Sequence, residues 1–430
     1  MARKMKDSGI EWIGEIPEEW EIVPVRSCFD EVRTKNTDGQ EQNALQFKSG
    51  NIISKTNFNA SMDDYVADTI TNYTVVLPDT VMINGLNLNY DFKSLRVALV
   101  KEKGVITSAY LAIFPDRKKI SPQYATYLFK GYETKMAFHN MGAGIRKTLG
   151  YKEFKNQPLL LPSEKEQNKI SAYLDSKCSH IDIMLSKIRS SIEEYKKLKQ
   201  TVITQAVTKG IRGEREMKDS GVEWIGEIPK EWVIQKIKSI SSRINVGVVI
   251  RPSEYFDENG TVPFLRGINV KEYLISSDNM VYINESSNRI LSKSQVHTDD
   301  ILIVRDGSIG TSCVVPAEFD GANVVSMVIA TPSISCDSRF ICYSLNSDVG
   351  KTQFTLTKIG SALTHTSISA VSDIIVAVPS CAEQKEIADY LDAKCVEIDG
   401  LIAKKEQLVK ELESYKKSLI YEVVTGKREV

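Results

Sequence analysis

Apolar residues recur at intervals of four and three over two long stretches of the chain, one beginning after Pro162 and the other after Pro379. This heptad period is typical of a long helix that packs on another helix along one seam. Each stretch is long enough for a helix of roughly 70 Å at about 1.5 Å per residue. The predicted seam residues are Ile181, Leu185, Ile188, Ile192 and Tyr195 in the first stretch and Ile398, Ile402, Val409 and Leu412 in the second, where Lys405 interrupts the apolar series.

Both stretches begin with the signature of a capping box, in which a serine is followed three residues later by a glutamate. The pairs are Ser163 with Glu166 and Ser380 with Glu383. Because the two halves of the chain have the same order of segments, the simplest arrangement of the two helices is antiparallel about a pseudo-twofold axis.

Short runs of β-favouring residues, separated by turns, precede each long stretch. Each set of runs is followed by a shorter predicted helix and by one last strand. The shared order predicts an α+β protein with two mixed α/β domains of one fold, two long antiparallel helices between them and a pseudo-twofold internal repeat. The predicted strands are 44–47, 74–77, 81–83, 97–100, 111–114 and 159–161 in the first half and 262–265, 301–304, 312–315, 324–330 and 373–378 in the second, and the shorter helices are 123–138 and 338–354.

The sequence itself also repeats. MKDSGIEWIGEIPEEW begins at Met5 and MKDSGVEWIGEIPKEW begins at Met217, and fourteen of their sixteen positions match. All four tryptophans of the protein lie in these two copies. A second repeat opens the long helices, with LPSEKEQNKISAYLDSKCSHID from Leu161 and VPSCAEQKEIADYLDAKCVEID from Val378. The predicted segments are therefore a first repeat segment 1–20, a variable domain 21–161, a long helix 162–212, a repeat segment with the second variable domain 213–379, and a second long helix 380–430.

The net charge of −1 over 430 residues argues against a protein that coats nucleic acid through bulk positive charge. The local distribution changes this interpretation. The tract 117–155 contains nine basic and only two acidic residues, which predicts a phosphate-contacting face, with a solvated helix surface as the alternative. The second variable domain has 12 basic and 14 acidic residues, so any nucleic-acid contact there requires a few well-placed side chains.

The composition argues against several classes of protein. The seven cysteines are scattered without a C-x-x-C pair, and the four histidines have no ligand spacing, which argues against a disulfide framework and a zinc site. Cys178 and Cys395 occupy equivalent positions and are predicted to be small core residues. No signal peptide and no apolar run of membrane-spanning length is present, so the sequence predicts a soluble, cytoplasmic protein.

The repeated segments resemble the specificity subunit of type I restriction-modification systems. The resemblance is carried by the paired DSG-EWIGEIP--W segments, the LPSEKEQ and VPSCAEQ helix starts, the YLD-KC--ID continuation and the AVT and VVT helix ends. Within the variable domains, PDTVMINGLNLN and GTVPFLRGINV also look like family target-recognition domains.

The resemblance implies a non-catalytic DNA-binding subunit in which each variable domain reads one half of a bipartite target in double-stranded DNA. It also implies that the helices set the spacer between the half-sites and dock two adenine-methyltransferase subunits. By the same resemblance, this chain binds no cofactor itself. S-adenosylmethionine belongs to the partner methyltransferase subunits, and ATP and magnesium belong to the restriction subunits, which are motor nucleases.

Base edges are read by arginine or lysine at guanine and by asparagine or glutamine at adenine. For each residue chosen on this ground, an ordinary turn residue is the alternative interpretation. Asp306 and Gly307 are predicted to form a hairpin turn rather than a contact. The predicted DNA-binding residues are Lys48, Asn51, Asn84, Asn87, Asn89, Arg96, Arg146 and Lys147 in the first domain and Arg266, Asn269, Lys271, Arg305, Ser308, His365 and Thr366 in the second.

Two rival functions are a nuclease and a purely structural coiled-coil adaptor. Asp79 with Asp91 and Lys93 imitates a two-carboxylate metal site, but the second half of the chain has no counterpart. Gly350-Lys351-Thr352 resembles the end of a phosphate loop, although Leu345 stands where that loop needs glycine. The sequence therefore favours a DNA reader and scaffold without metal or catalytic residues.

Overall fold

The structure is a computed structural model that describes residues 3–48, 50–55, 70–92, 95–144, 147–359 and 366–430. The chain forms two compact units. Unit 1 consists of Met1–Arg189 and Gln407–Val430, and unit 2 consists of Ser190–Glu406. Each unit therefore combines one repeat segment and one variable domain with the first part of the helix that follows them and the last part of the other long helix.

The strands are short, and the two long helices continue directly from the last strand of each domain. The strands of unit 1 are β1 Met5–Asp7, β2 Glu15–Pro17, β3 Glu21–Pro24, β4 Phe29–Glu31, β5 Leu45–Lys48, β6 Asn51–Ser54, β7 Thr74–Val76, β8 Val81–Ile83, β9 Val97–Leu99, β10 Gly104–Ile106, β11 Leu111–Pro115 and β12 Pro158–Leu161. The strands of unit 2 are β13 Met217–Asp219, β14 Glu227–Pro229, β15 Val233–Lys236, β16 Ser241–Val246, β17 Val262–Leu265, β18 Val270–Lys271, β19 Leu274–Ile275, β20 Val281–Ile283, β21 Ile301–Val304, β22 Ser312–Val314, β23 Asn323–Val324, β24 Met327–Pro332 and β25 Ile375–Val378. The helices are α1 Pro122–Thr134, α2 Ala137–Met141, α3 Tyr151–Phe154, α4 Glu164–Lys209, α5 Glu285–Ile290, α6 Ser338–Asn346, α7 Asp348–Ile359, α8 Ile368–Ser372 and α9 Cys381–Val424.

The central sheets of the two units have the same topology. The strand order is β4-β11-β8-β9 in unit 1 and β16-β24-β21-β22 in unit 2, with antiparallel neighbours throughout. The turn before β8 and the turn before β21 are also equivalent. The backbone N–H of Asp79 (φ 76°) donates to the carbonyl of Val100, and the backbone N–H of Asp299 (φ 69°) donates to the carbonyl of Val315. The prediction of two α+β domains of one fold is confirmed.

Three predicted elements are interrupted where the backbone leaves its regular conformation. The predicted helix 123–138 divides at Met136, which lies in the left-handed region with φ 54°. The helix 338–354 divides at Ser347, whose extended backbone ends α6. The strand 324–330 divides at Ser326 (φ 50°), and only its two ends pair in sheets.

The long helices α4 and α9 pair in antiparallel fashion within each unit. In unit 1, Lys416 Nζ lies 2.6 Å from Asp182 Oδ1, and Arg189 pairs with Glu413. In unit 2, Lys199 Nζ lies 2.6 Å from Asp399 Oδ2. Residue numbers rise along one helix as they fall along the other. All nine predicted seam residues are buried or half-buried, and Lys405 lies over the ring of Tyr195 at 5.4 Å.

Among the described residues, no helix combines the length and the apolar character needed to cross a membrane.

Candidate nucleic-acid interface

A tryptophan, an arginine and a glutamate form the same cluster in both units and join the repeat segment to the start of a long helix. In unit 1, Trp20 Nε1 donates to Glu166 at 2.9 Å, and Arg3 lies 2.6 Å from the same carboxylate. In unit 2, Trp232 Nε1 donates to Glu383 at 3.3 Å, and Arg215 pairs with Glu383 at 2.6 Å. Each guanidinium also stacks over its indole, 5.5 and 5.7 Å from the ring centroid. We call these the frame clusters.

The predicted capping boxes are only half formed as a result. The N–H of Glu166 reaches the Ser163 hydroxyl at 3.4 Å, and the N–H of Glu383 reaches the Ser380 hydroxyl at the same distance. The two carboxylates, which would return to the helix N-terminus in a full box, bind the tryptophan and the arginine instead.

The C-terminal end of the other helix completes each frame cluster. Gly426 (φ 71°) follows α9 and lies so close to Pro17 that a side chain at this position would overlap the proline ring. Gly210 (φ 77°) follows α4, where an added Cβ would lie 2.8 Å from Arg215 and 3.3 Å from Trp232. The left-handed backbone and the close approach together require glycine at both helix ends.

A buried glutamine next to each frame cluster fixes the domain helix to the long helix. Gln167 accepts the N–H of Ser121, the residue before α1, at 2.8 Å and donates to the carbonyl of Pro162 at 3.0 Å. Gln384 makes the same bonds to Asp337, the residue before α6, and to Pro379. The domain is therefore held to the helix by side-chain to backbone bonds that are repeated in both units.

A tyrosine and a cysteine extend this junction along each helix. Tyr127 donates to Asp175 at 2.7 Å, and Tyr343 donates to Asp392 at 2.8 Å. Cys178 and Cys395 are buried, as predicted, and burial raises the pKa of both thiols.

Three loops of unit 1 meet at the end of the central sheet where β8 stops, and we call this region loop edge 1. Leu88 donates its N–H to the carbonyl of Lys147 at 3.2 Å, and Leu149 donates to Gly85 at 2.9 Å. The tip of the β5–β6 hairpin joins them, because a Cβ at Gly50 would lie 3.0 Å from that of Leu95. Six of the predicted DNA-binding residues are thus brought together: Lys48, Asn51, Asn87 and Lys147 are exposed, and Asn84 and Asn89 are half-buried.

The structure corrects the prediction for Arg96. Its side chain is completely buried, and its Nη1 donates to the carbonyls of Asn84 (2.9 Å) and Leu86 (2.8 Å). Its Nη2 donates to the carbonyl of Asp91. A guanidinium bound to three backbone carbonyls has no surface left for a base edge. Arg96 therefore supports the backbone of loop edge 1 from the interior of the domain.

The equivalent end of the unit 2 sheet, where β21 stops, is loop edge 2. Val248 donates to the carbonyl of Val324, and Val325 donates to that of Leu265, both at 2.8 Å. Ser326 donates to the Asp306 carboxylate at 3.2 Å. These bonds bring together the segments 247–251, 266–271, 305–308 and 325–326, which contain the half-buried Arg266 and Arg305 and the exposed Lys271 and Ser308.

Two predicted contacts of unit 2 are buried and are corrected in the same way. Asn269 donates to the carbonyls of Ser276 (3.1 Å) and Asp278 (2.9 Å). Thr366 is buried, and its backbone binds Arg305, whose Nε donates to the Thr366 carbonyl at 2.9 Å. Both residues hold loops in place. Arg146 and His365 lie outside the described residues.

The basic tract 117–155 does not form one face. Arg117, Lys118 and Lys119 follow β11 at the end of the sheet opposite loop edge 1, where Arg117 pairs with Asp79 at 2.6 Å. Lys135 instead lies over the ring of Tyr421 near the end of α9. The predicted single phosphate-contacting face is therefore wrong, because residues that are close in sequence lie at different ends of the domain.

Sequence reasoning missed the apolar side chains of both loop edges. Tyr90 and Phe92 are exposed at loop edge 1, where Phe92 stacks on His139 with 5.1 Å between ring centroids. Val249 and Ile250 are exposed at loop edge 2. The available signal was the apolar run 248–250 at loop edge 2 and the two aromatic residues on either side of Asp91 at loop edge 1, both outside any predicted strand or helix.

Residues 229–412 match the family described as the type I restriction modification DNA specificity domain. The specificity subunit of the type I restriction enzyme MjaVIII from Methanocaldococcus jannaschii is 24% identical over 418 residues, which cover 96% of this chain and 93% of that subunit.

Two solved structures share the fold. A chain from work on the complex assembly and conformational transition of the type I R-M system has a TM-score of 0.71 at 14% identity and covers 96% of this chain and 99% of its own. The HsdS subunit from Thermoanaerobacter tengcongensis has a TM-score of 0.51 at 15% identity and covers 99% of this chain and 100% of its own. Together with the repeated frame clusters and the two equivalent sheets, these matches lead to one conclusion: residues 229–412 match the type I restriction modification DNA specificity domain, and the chain is similar over 96% of its length to a type I restriction enzyme specificity subunit.

Proposed function

We propose that loop edge 1 and loop edge 2 each read one half of a bipartite target in double-stranded DNA. The observation that carries the proposal is a constant frame around two sheets whose loop edges differ. Loop edge 1 presents the amide of Asn87 and the ammonium groups of Lys48 and Lys147, which suit adenine and guanine edges or phosphates. Loop edge 2 carries the half-buried guanidinium groups of Arg266 and Arg305, each of which donates one N–H to a backbone carbonyl and has further N–H groups that suit guanine.

The long helices, in this proposal, set the spacer and dock two adenine-methyltransferase subunits. The antiparallel ion pairs Lys416–Asp182 and Lys199–Asp399 support a stiff helix pair. The repeated frame clusters support two equivalent docking sites. S-adenosylmethionine would be bound by the methyltransferase subunits, and ATP with magnesium by restriction subunits.

We infer further that this chain has no catalysis of its own. The carboxylate of Asp79, one member of the nuclease-like group, pairs with Arg117 at 2.6 Å. Its backbone makes the same turn as Asp299 in unit 2, which supports a structural role. Lys93 lies outside the described residues.

The decisive experiment co-expresses the chain with its cognate methyltransferase and sequences the methylome. We expect one split adenine motif. Exchange of residues 21–161 for those of a relative is expected to change one half-site and to keep the spacer length, because both helices are retained. No motif, or a change in both half-sites, would contradict the proposal.

Two further measurements separate the rivals. Native mass spectrometry of the co-purified complex is expected to show two methyltransferase subunits per chain. A structural adaptor without DNA specificity would also form a complex, but the methylome would then contain no motif. Purified chain with magnesium and plasmid is expected to leave the DNA intact. Cutting that Asp79→Ala abolishes would establish the nuclease instead.

A further inference from the structure

Three aliphatic side chains are exposed at loop edge 2. Val249 and Ile250 follow the end of β16 and are 55% and 78% exposed, and Ile268 follows β17 and is 55% exposed. Single exposed apolar residues are ordinary, but a group at one edge marks a contact surface.

The segments that bear these side chains are adjacent and fixed. Val248 pairs with Val325, and Val325 donates to Leu265, so the segments 248–250 and 266–268 lie on either side of the segment 324–325. Gly247 lies so close to Val324 that any side chain would overlap its carbonyl. Arg251 has φ 44°, a conformation that turns the chain immediately after Ile250. The three aliphatic groups are therefore presented by a preorganised backbone.

The charges around them favour a polyanion as the partner. Arg251 is exposed, and among the described residues its ion pair is with the exposed Glu254, at 3.2 Å; such surface pairs contribute little. Arg266 and Arg305 lie on the neighbouring loops. The Asp306 carboxylate on this edge accepts a hydrogen bond from Ser326.

We propose that Val249, Ile250 and Ile268 contact the C5-methyl groups of thymine in the major groove at the half-site of unit 2. The inference rests on the proposed function, since it requires that loop edge 2 reads DNA. The thymine methyl is the apolar feature of the major groove, and aliphatic side chains recognise it. Apolar readout also accounts for a DNA-reading domain with 12 basic and 14 acidic residues, because specificity then comes from methyl contacts rather than from many cations.

The test uses the complete complex with the methyltransferase and a duplex that contains the methylome-derived target. Each thymine of the unit 2 half-site is replaced in turn by deoxyuridine, which removes only the methyl group. We expect at least one replacement to weaken DNA binding about fourfold, the factor for one buried methyl or methylene group, in fluorescence anisotropy at fixed salt. Ile250→Ala is expected to weaken binding to the thymine duplex by about tenfold and to abolish the deoxyuridine effect. Ile334→Ala, at an exposed residue beyond the other end of β24, is the matched control and is expected to leave both duplexes unchanged.

A half-site without thymine, deoxyuridine duplexes that bind like thymine, or an Ile250→Ala complex that keeps the full deoxyuridine effect would each overturn the inference. Loss of co-purifying methyltransferase from Ile250→Ala would also overturn it and would identify the patch as a protein contact. In all these cases a methylome with one split motif shows that the proposed function stands, whereas absence of any motif shows that the proposed function itself has failed.

Discussion

Removal of the glutamate from each frame cluster should destabilise the two units to different extents. The Glu383 side chain is 4% exposed and that of Arg215 is 11% exposed, whereas Glu166 and Arg3 are 21% and 18% exposed. Glu383→Ala leaves the buried indole N–H without its acceptor and removes the buried one of the two carboxylates that pair with Arg215, whose other partner, Glu231, is exposed. Breaking a buried ion pair costs about 3–5 kcal/mol, and we expect the lower end of that range because Glu231 remains beside Arg215.

Glu166→Ala is the matched comparison within the same chain. Arg3 regains water more readily than Arg215, so the expected cost is about 2 kcal/mol, the range of one hydrogen bond to a charged group. Urea unfolding followed by tryptophan fluorescence measures both variants, because all four tryptophans lie in the repeat segments that contain the clusters.

A double variant tests whether the loss of the buried carboxylate beside the Arg215 charge causes the destabilisation. Arg215→Met in the Glu383→Ala background removes a guanidinium that has lost its buried carboxylate and keeps only the exposed Glu231, so we expect it to recover part of the free energy of unfolding. A cost for Glu166→Ala that equals or exceeds that of Glu383→Ala would refute the burial argument. A double variant no more stable than Glu383→Ala would refute the charge argument.

Three other predictions follow from single residues. Burial raises the pKa of Glu133 in the folded state from 4.5 to about 7, so the stability that this group contributes below pH 4.5 is lost as the pH rises through 7. The expected loss in the free energy of unfolding is about 3 kcal/mol between urea titrations at pH 4 and pH 8, and Glu133→Gln should remove this contribution. Gly426→Ala should lower the free energy of unfolding by more than the roughly 1 kcal/mol expected for Gly9→Ala, since both glycines have positive φ but only Gly426 lies against Pro17. Equal losses in urea unfolding would contradict the overlap with Pro17. In the methyltransferase complex, Lys147→Ala should reduce the slope of log affinity against log salt by about 0.9 if it contacts one phosphate, and an unchanged slope would exclude that contact.

Elements with strong local patterns could be predicted from the sequence. The runs 81–83 and 301–304 form β8 and β21 with the predicted bounds, because each is a short apolar strand between polar turns. The seam of the long helices followed from its heptad period in the same way. Regular periodicity is a local property, and no knowledge of the tertiary contacts was needed.

The contacts of the frame clusters could not be predicted, because they join distant parts of the chain. Trp20 and Glu166 are 146 residues apart, and the glutamate carries the signature of a local capping box. The prediction that Arg96 contacts DNA was wrong for the same reason. A basic residue beside a turn resembles a surface contact, and its burial depends on carbonyls at positions 84, 86 and 91 that converge only in the folded domain.

The bonds that hold the loop edges explain how two different loop edges can share one frame. Arg96 supports loop edge 1, Asn269 supports loop edge 2, and both donate hydrogen bonds to backbone carbonyls. A carbonyl is present whatever side chain the loop residue carries. Substitution of Asn87 or Ile250 therefore changes which side chain the edge exposes without removing one of these bonds. Substitution of Arg96 or Asn269 removes the support and changes no exposed side chain. The physical separation of shape from contact lets the loop edges diverge while the frame clusters stay the same.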